Sequence, residues 1–491
     1  MVKRILITFL LLNFLLIKET FNFLNFMTSE ETYPGAYYLV LNNEGSTLDG
    51  ETLTENRADV SIEQGSKIIH YAKESVNSSN YEDTNKTEMH SNEECNQENL
   101  ITIKKGGTYR VSGTLKGQLS ISISSQEKIT LVLEGVDIYC GVAPAVIVYK
   151  AYEMDTKNYE VEKIQIDLKK AIELNPDEAG VKIIIADNSD NIISGSHVAD
   201  FRDSNNNRIA KYDGAFYSKV SLSIKGETKG NGILNIIGDN EGLDSEKHLI
   251  ISDGNINIAS QDDGINANND GGSVVLIKGG NVKINGGLKE GDGIDSNGYL
   301  IIQNGKVISA GSKDKCGLTA DLGIVINGGT VIGVGSGQPW NNNNSTQQIM
   351  HLRFYPEIPK NRKLYVKDSS GKILLSFNPS TSRFISGTEP RGYKGAIISH
   401  PSFKLNEVYY LYLGNIQFHA SPSTDKNKKE APKLKTDKIE SLPKELNLKS
   451  IVSTFDMYYI EIVKNESKSE SSSSKTDFSF MNWFAFLIIL F

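Results

Sequence analysis

The chain has 491 residues, long enough for two to four folded units. Its formal net charge of -8 argues against a nucleic-acid partner, which favours a basic surface. Only three cysteines, Cys95, Cys140 and Cys316, are present, too few for a disulfide framework and with no close-spaced pair for zinc.

Met1-Val2-Lys3-Arg4 followed by an apolar Ile5–Ile17 reads as a secretory signal, placed at residues 1–20. Residues 21–99 read as a polar, partly disordered segment, with Asn77–Asn99 almost free of apolar side chains. From Leu100 short alternating strands dominate: Ile101-Thr102-Ile103, Tyr109–Ser112, Leu119–Ile123, Ile129–Leu133, Val146–Tyr149 and Val181–Ile185. Lys163–Leu174 alone has helical character. Cys95 and Cys140 are placed to bridge, while Cys316 reads as a packed thiol.

A repeat begins near Asp213. Glu241-Gly242-Leu243-Asp244-Ser245, Asp263-Gly264-Ile265-Asn266-Ala267, Asp292-Gly293-Ile294-Asp295-Ser296 and Cys316-Gly317-Leu318-Thr319-Ala320 share one pattern, with glycines 22, 29 and 24 residues apart. After each motif come a strand, a turn and a second strand, as in Leu249-Ile250-Ile251, Asp253-Gly254, Ile256-Asn257-Ile258. Asp213-Gly214-Ala215-Phe216 starts an earlier coil. Such a period is the signature of a solenoid, whose parallel strands lie about 4.7–4.9 Å apart. We therefore expect an all-β chain: a right-handed parallel β-helix over residues 100–340, its bore filled by Leu, Ile and Val. Glycine and asparagine serve the corners, where positive φ is often needed. Strands of another rhythm over 350–415 form a C-terminal β module capping the open end. A Ser/Lys-rich linker at 420–475 leads to an apolar tail, 478–491, which reads as a glycolipid (GPI) anchor signal. Sequons at Asn77, Asn85, Asn344 and Asn465 agree with a secreted, cell-surface glycoprotein.

The ordered Gly-apolar-Asp/Asn-small motifs, with Ile326-Asn327-Gly328-Gly329-Thr330-Val331, resemble the bacterial carbohydrate-binding parallel β-helix proteins. The resemblance extends over Leu100 to about Gly414, taking in Gly107-Thr108-Tyr109, Ser112-Gly113-Thr114-Leu115 and Leu131–Ile138. It implies calcium-dependent association with polygalacturonate (pectin) and a likeness to β-helical pectate lyases. The chain departs from the pattern at Cys316 and Thr319 of the fourth repeat.

With the apolar motif residue inward, Asp244, Asn266, Asp295 and Thr319 should form one outward column. Glu241, Asp263 and Asp292 should form a second, with Asp262 beside it. Two carboxylates about 5 Å apart repel by roughly 3 kcal/mol at an effective dielectric of about 20, a cost a cation removes. Calcium accepts Asp, Asn and carbonyl oxygens in flexible geometry. The candidate metal ligands are therefore Glu241, Asp244, Asp262, Asp263, Asn266, Asp292 and Asp295. The alternative is a solvated row of turn acids bonding their own backbone. Lys289, Lys313 and Lys315 are placed to meet sugar acids, and Tyr299, Trp340 and Tyr217 to stack on sugar rings; exposed lysines for solubility and packed aromatics are the plain alternatives. His248 reads as a surface or packing residue. Three functions fit: a non-catalytic binder of acidic polysaccharide, a pectate lyase with one of the three lysines as base, and a structural wall protein or adhesin. No paired-carboxylate hydrolase motif accompanies the acids.

Overall fold

The computed structural model describes residues 33–69, 90–154, 165–202, 208–287, 290–312, 314–336, 344–358, 362–378, 392–414, 416–419, 433–436 and 443–464. The expected signal, anchor tail, and sequons at Asn77, Asn85 and Asn465 lie outside them, as do Lys289, Lys313 and Trp340. The described chain is nearly all strand, and most of its strands join one long sheet.

Parallel pairing organises that sheet into three ladders. In the first, Ile129, Val181, Leu222, Leu249, Val275, Leu300 and Ile324 follow one another in register. In the second, Ile138, Ile193, Ile236, Ile258 and Ile284 do so, and Val282, Val307 and Val331 continue it. The third carries the repeat motif: Val146, Phe216, Leu243, Ile265 and Ile294 stack strand on strand, and Leu318 bridges to Ile294. Side chains from all three ladders enter one buried apolar cluster, in which Leu243, Ile265 and Ile294 are wholly inaccessible and Leu318 nearly so. Strands of three to six residues cannot bury a face singly; the stack supplies what each lacks.

Two kinds of glycine make the stack possible. Gly254, Gly280, Gly305 and Gly329, in the turns between the first and second ladders, have φ of 104°, 84°, 90° and 83°. That left-handed conformation is costly for other residues. The motif glycines instead serve close approach: a Cβ on Gly264 would lie 2.1 Å from Ile284 Cγ2 and 2.6 Å from the Gly293 carbonyl.

Strands outside the repeat add to the stack at both ends. Val60–Gln64 pairs antiparallel with Asn99–Ile103, and Tyr37–Leu41 runs parallel with Gly107–Ser122. Residues 33–69 thus differ from the polar, irregular segment expected, because Tyr37-Tyr38-Leu39-Val40-Leu41 is itself a strand-forming run whose Leu39 and Leu41 join the core. At the other end Thr330–Gly335 pairs antiparallel with Tyr393–Ser399, which pairs with Ile349–Ile358. A second sheet follows in the order Ile373–Phe377, Leu364–Lys367, Val408–Leu413, Lys444–Asn447, over a separate apolar core. The expected linker at 420–475 is a correction: Lys444–Asn447 and Val452–Lys464 are strands, and Leu446, Met457 and Tyr459 are buried in that core.

The helical expectation at Lys163–Leu174 narrows to Leu168–Ile172, capped by Asp167, whose carboxylate accepts from the backbone N–H groups of Lys169 and Lys170. It lies over the outer face of the first ladder, against Ile250, Val274, Leu276, Ile301 and Val325. Cys95 and Cys140 are free buried thiols, not a bridge, and burial pushes each up to about 12. Cys316 Sγ lies 3.1 Å from Ser336 Oγ.

Candidate functional site

The third ladder puts Asp244, Asn266 and Asp295 at registered positions on three successive strands. Each follows the inward residue, so its side chain leaves the apolar interior on the opposite face. The alternative of a solvated row does not follow, because Asp244 is wholly inaccessible and Glu241 and Asn266 are 5% and 7% exposed. Asp292 is buried as well, while Asp262, Asp263 and Asp295 are partly exposed. The acids are a shielded array rather than a row of solvated corners.

At one end of the array stands a residue the motif pattern missed as a ligand. Asp213, Glu241 and Asp244, all buried, each offer a carboxylate oxygen, and these atoms lie within 4.8 Å of one another. Gly214 pairs with Glu241 and Phe216 with Leu243, so the Asp213 coil has one more residue before its inward side chain than the later motifs. That extra residue moves Asp213 out of the column and beside the two acids of the next strand. The signal for it in the sequence is the Asp213-Gly214 pair itself, one position out of step.

Hydrogen bonding fixes one oxygen of each motif acid and leaves the other. Asn266 Nδ2 donates to Glu241 Oε1 at 2.9 Å, and Asn268 Nδ2 donates to Asp244 Oδ1 at 2.7 Å. Glu241 Oε2, Asp244 Oδ2 and Asn266 Oδ1 are buried without a partner. Burial pushes Glu241 and Asp244 well above the usual carboxylate range; the neighbouring acids add to the rise. Lys211 Nζ pairs with Asp213 Oδ2 at 2.5 Å. Partial burial opposes its charge, but the acids prevail and hold it above its ordinary value.

Further along, Asp292 N donates to Asp263 Oδ1 at 2.6 Å, and Cys316 N donates to Asp292 Oδ1. Burial drives Asp263 up to about 8, with Asp262, Asp295 and Asp292 adding to it. Asp295 rises to about 6 through burial, then Asp292 and Asp321, against the pull of Lys315. Lys315, exposed, also lowers Asp292 from the level burial sets.

The proposed sugar-stacking aromatics are not gathered here. Tyr299 sits on the first ladder and packs against the cluster under the Leu168–Ile172 helix. Tyr217 is 3% exposed, donates to Glu246 Oε1 at 2.5 Å and packs against the Tyr212 ring, so it offers no open face. His248 is fully buried. Asn344 is exposed.

The donor set is all oxygen, contains orphaned buried oxygens and has excess negative charge. This suits a hard cation such as calcium, which takes roughly six to eight oxygen ligands. Asp213, Glu241 and Asp244, with Asn266 beside them, are the residues that could hold one.

A curated carbohydrate-binding domain-containing protein of Acetivibrio thermocellus is 29% identical over 163 residues, 33% of this chain. The chain spans 45% of the length of that relative. A solved structure titled as a polysaccharide lyase-like protein from C. thermocellum, gadolinium derivative, aligns at 20% identity and a TM-score of 0.34, over 60% of this chain and 92% of that one. Residues 97–352, just over half of the chain, match the family described as carbohydrate-binding domain-containing protein, and the chain belongs to that family.

Proposed function

We propose that the chain is a non-catalytic binder of acidic polysaccharide, polygalacturonate being the class the motifs point to, and that calcium on the carboxylate array joins protein to polymer. In this reading the three ladders are the faces of a right-handed parallel β-helix. The supporting observation is the buried Asp213–Glu241–Asp244 group, which brings one oxygen of each acid within 4.8 Å of the others and in which Glu241 Oε2 and Asp244 Oδ2 lack a partner. A bound calcium would neutralise the site and leave coordination positions for uronate oxygens toward the more open Asp263 and Asp295. Lys315 beside them adds attraction for sugar carboxylates.

β-Elimination, with Lys289, Lys313 or Lys315 as the base, is the alternative that ultraviolet absorbance separates from binding. We expect no rise in ultraviolet absorbance from unsaturated uronate when polygalacturonate and calcium are supplied; a sustained rise establishes a lyase instead. Electrophoresis through gels containing polygalacturonate tests the binding itself. Retardation that calcium strengthens and chelator reduces is expected, and unchanged mobility in acidic and neutral polymer gels rules the reading out. The same reading puts the protein outside the cell, held at its surface; release from intact cells by a glycolipid-cleaving phospholipase tests this, and complete retention speaks against it.

A further inference from the structure

The second, four-stranded sheet lies beyond the residues that match the family. One of its faces is spent on the C-terminal core: Leu364, Val366, Leu375, Phe377, Leu411 and Leu413 are buried there. Alternation sends the intervening residues to the opposite face. Tyr365 stands directly across from Tyr412, and Lys367 directly across from Tyr410. All four are partly exposed.

The two tyrosine rings stack, with centroids 4.8 Å apart and planes within 8°. Lys367 Nζ is 4.8 Å from the Tyr412 centroid and 5.6 Å from that of Tyr365. These three lengths make a nearly equilateral triangle. The ammonium therefore sits beside the pair rather than beyond it, and covers neither outer ring face. Among the described residues no hydrogen bond or ion pair engages the two hydroxyls or the ammonium. Charge sets the same direction. Residues 362–378, 392–414 and 443–450 carry eight Lys and Arg against three Asp and Glu, in a chain whose net charge is -8. One of the three acids, Glu445, lies across from Tyr410 at the edge of this face.

We propose that the Tyr365–Lys367–Tyr412 face is a second polysaccharide-binding site, specific for anionic sugar polymers and independent of any metal. It takes the acidic class of polymer from the preceding reading, and nothing else. A ring face meets the apolar C–H face of a sugar. The two hydroxyls have donors and acceptors to spare for sugar hydroxyls. Lys367 supplies a charge-assisted bond to a uronate carboxylate. The cation site on the third ladder needs calcium to overcome its own charge; this face, with the Lys367 ammonium beside its rings, does not.

The experiment uses the full chain in polygalacturonate gels with chelator present. Wild type should still be retarded, less so as salt rises. Lys367→Gln and Tyr412→Leu should each weaken that chelator-resistant binding at least threefold, without changing the calcium-dependent part. Lys367→Gln leaves the ring pair and the buried face intact, so it remains informative if Tyr412→Leu fails to fold. Absence of chelator-resistant retardation in wild type, its persistence in folded Lys367→Gln, or equal retardation by neutral polymer or single-stranded nucleic acid overturns the proposal. Asp244→Asn separates the two sites. If it abolishes only calcium-dependent retardation, both readings stand; if calcium has no effect in wild type while chelator-resistant binding remains, only the cation reading fails.

Discussion

Replacing Asp244 by Asn tests whether the buried acids form a cation site. Carboxylate oxygens within 4.8 Å repel by roughly 3.5 kcal/mol per charged pair at an effective dielectric of about 20. Without a cation the group escapes part of this by retaining protons, at about 1.4 kcal/mol for each pH unit above the ordinary carboxylate pKa. Asn is nearly isosteric with Asp and keeps an oxygen to accept from Asn268. Its amide places a donor where Asp244 Oδ2 now lacks a partner, in a group whose Glu241 Oε2 is equally unpartnered. We therefore expect Asp244→Asn, in chelator at pH 8, to be more stable than wild type by about 1–3 kcal/mol, visible as a midpoint shift in urea. Calcium at 100 times its Kd should stabilise wild type by about 2.7 kcal/mol and the variant hardly at all. A variant less stable than wild type in chelator, with an undiminished calcium response, refutes the reasoning.

Further tests follow from other residues. Asp263 titrates at about 8 in the folded chain against about 3.9 unfolded, so its protonated form favours the native state below the unfolded value, and that contribution is lost as pH rises through 8. In chelator the urea midpoint should fall between pH 5 and 8, and a rise would contradict the burial of this acid. Gly264→Ala, whose Cβ meets Ile284 and a backbone carbonyl, should cost about 1–3 kcal/mol or more; Gly45→Ala, with nothing within 4 Å, should be near neutral, and equal effects on thermal unfolding would dissolve the contrast. Cys95 and Cys140, inaccessible and with thiols near 12, should react with a disulfide reagent only on unfolding; failure to titrate in denaturant would reveal a bridge.

The repeat was legible because its carriers are residues of one type at one position. Leu243, Ile265, Ile294 and Leu318 recur in order, and apolar residues in such motifs have only the interior to fill. The chemistry was less so. Alternation correctly sends Asp244 and Asn266 away from that interior, but sequence does not say whether an outer face meets water or more protein. Asp213 was out of phase by one residue, and no periodicity reveals a neighbour created by an insertion. Glycine at the turns serves positive φ as expected, whereas the need of the motif glycines for room against the facing wall shows only in the packing. The ends of the chain were underestimated because Tyr37–Leu41 and Val452–Lys464 belong to no repeat, yet each finds an edge to complete.

The Leu168–Ile172 helix has a bearing on how the molecule comes apart. A simple stack unzips from its ends, each rung answering only to its neighbours. Here Ile166 N bonds the Gly271 carbonyl, and Gln303 Nε2 donates to the Ile172 carbonyl, more than 100 residues away in the chain. This clasp ties rungs that would otherwise be separate links, so fraying that enters from the Ile324 side must lift it before passing inward. Hydrogen exchange should accordingly show the strands beneath it opening together, as a single block, rather than one after another.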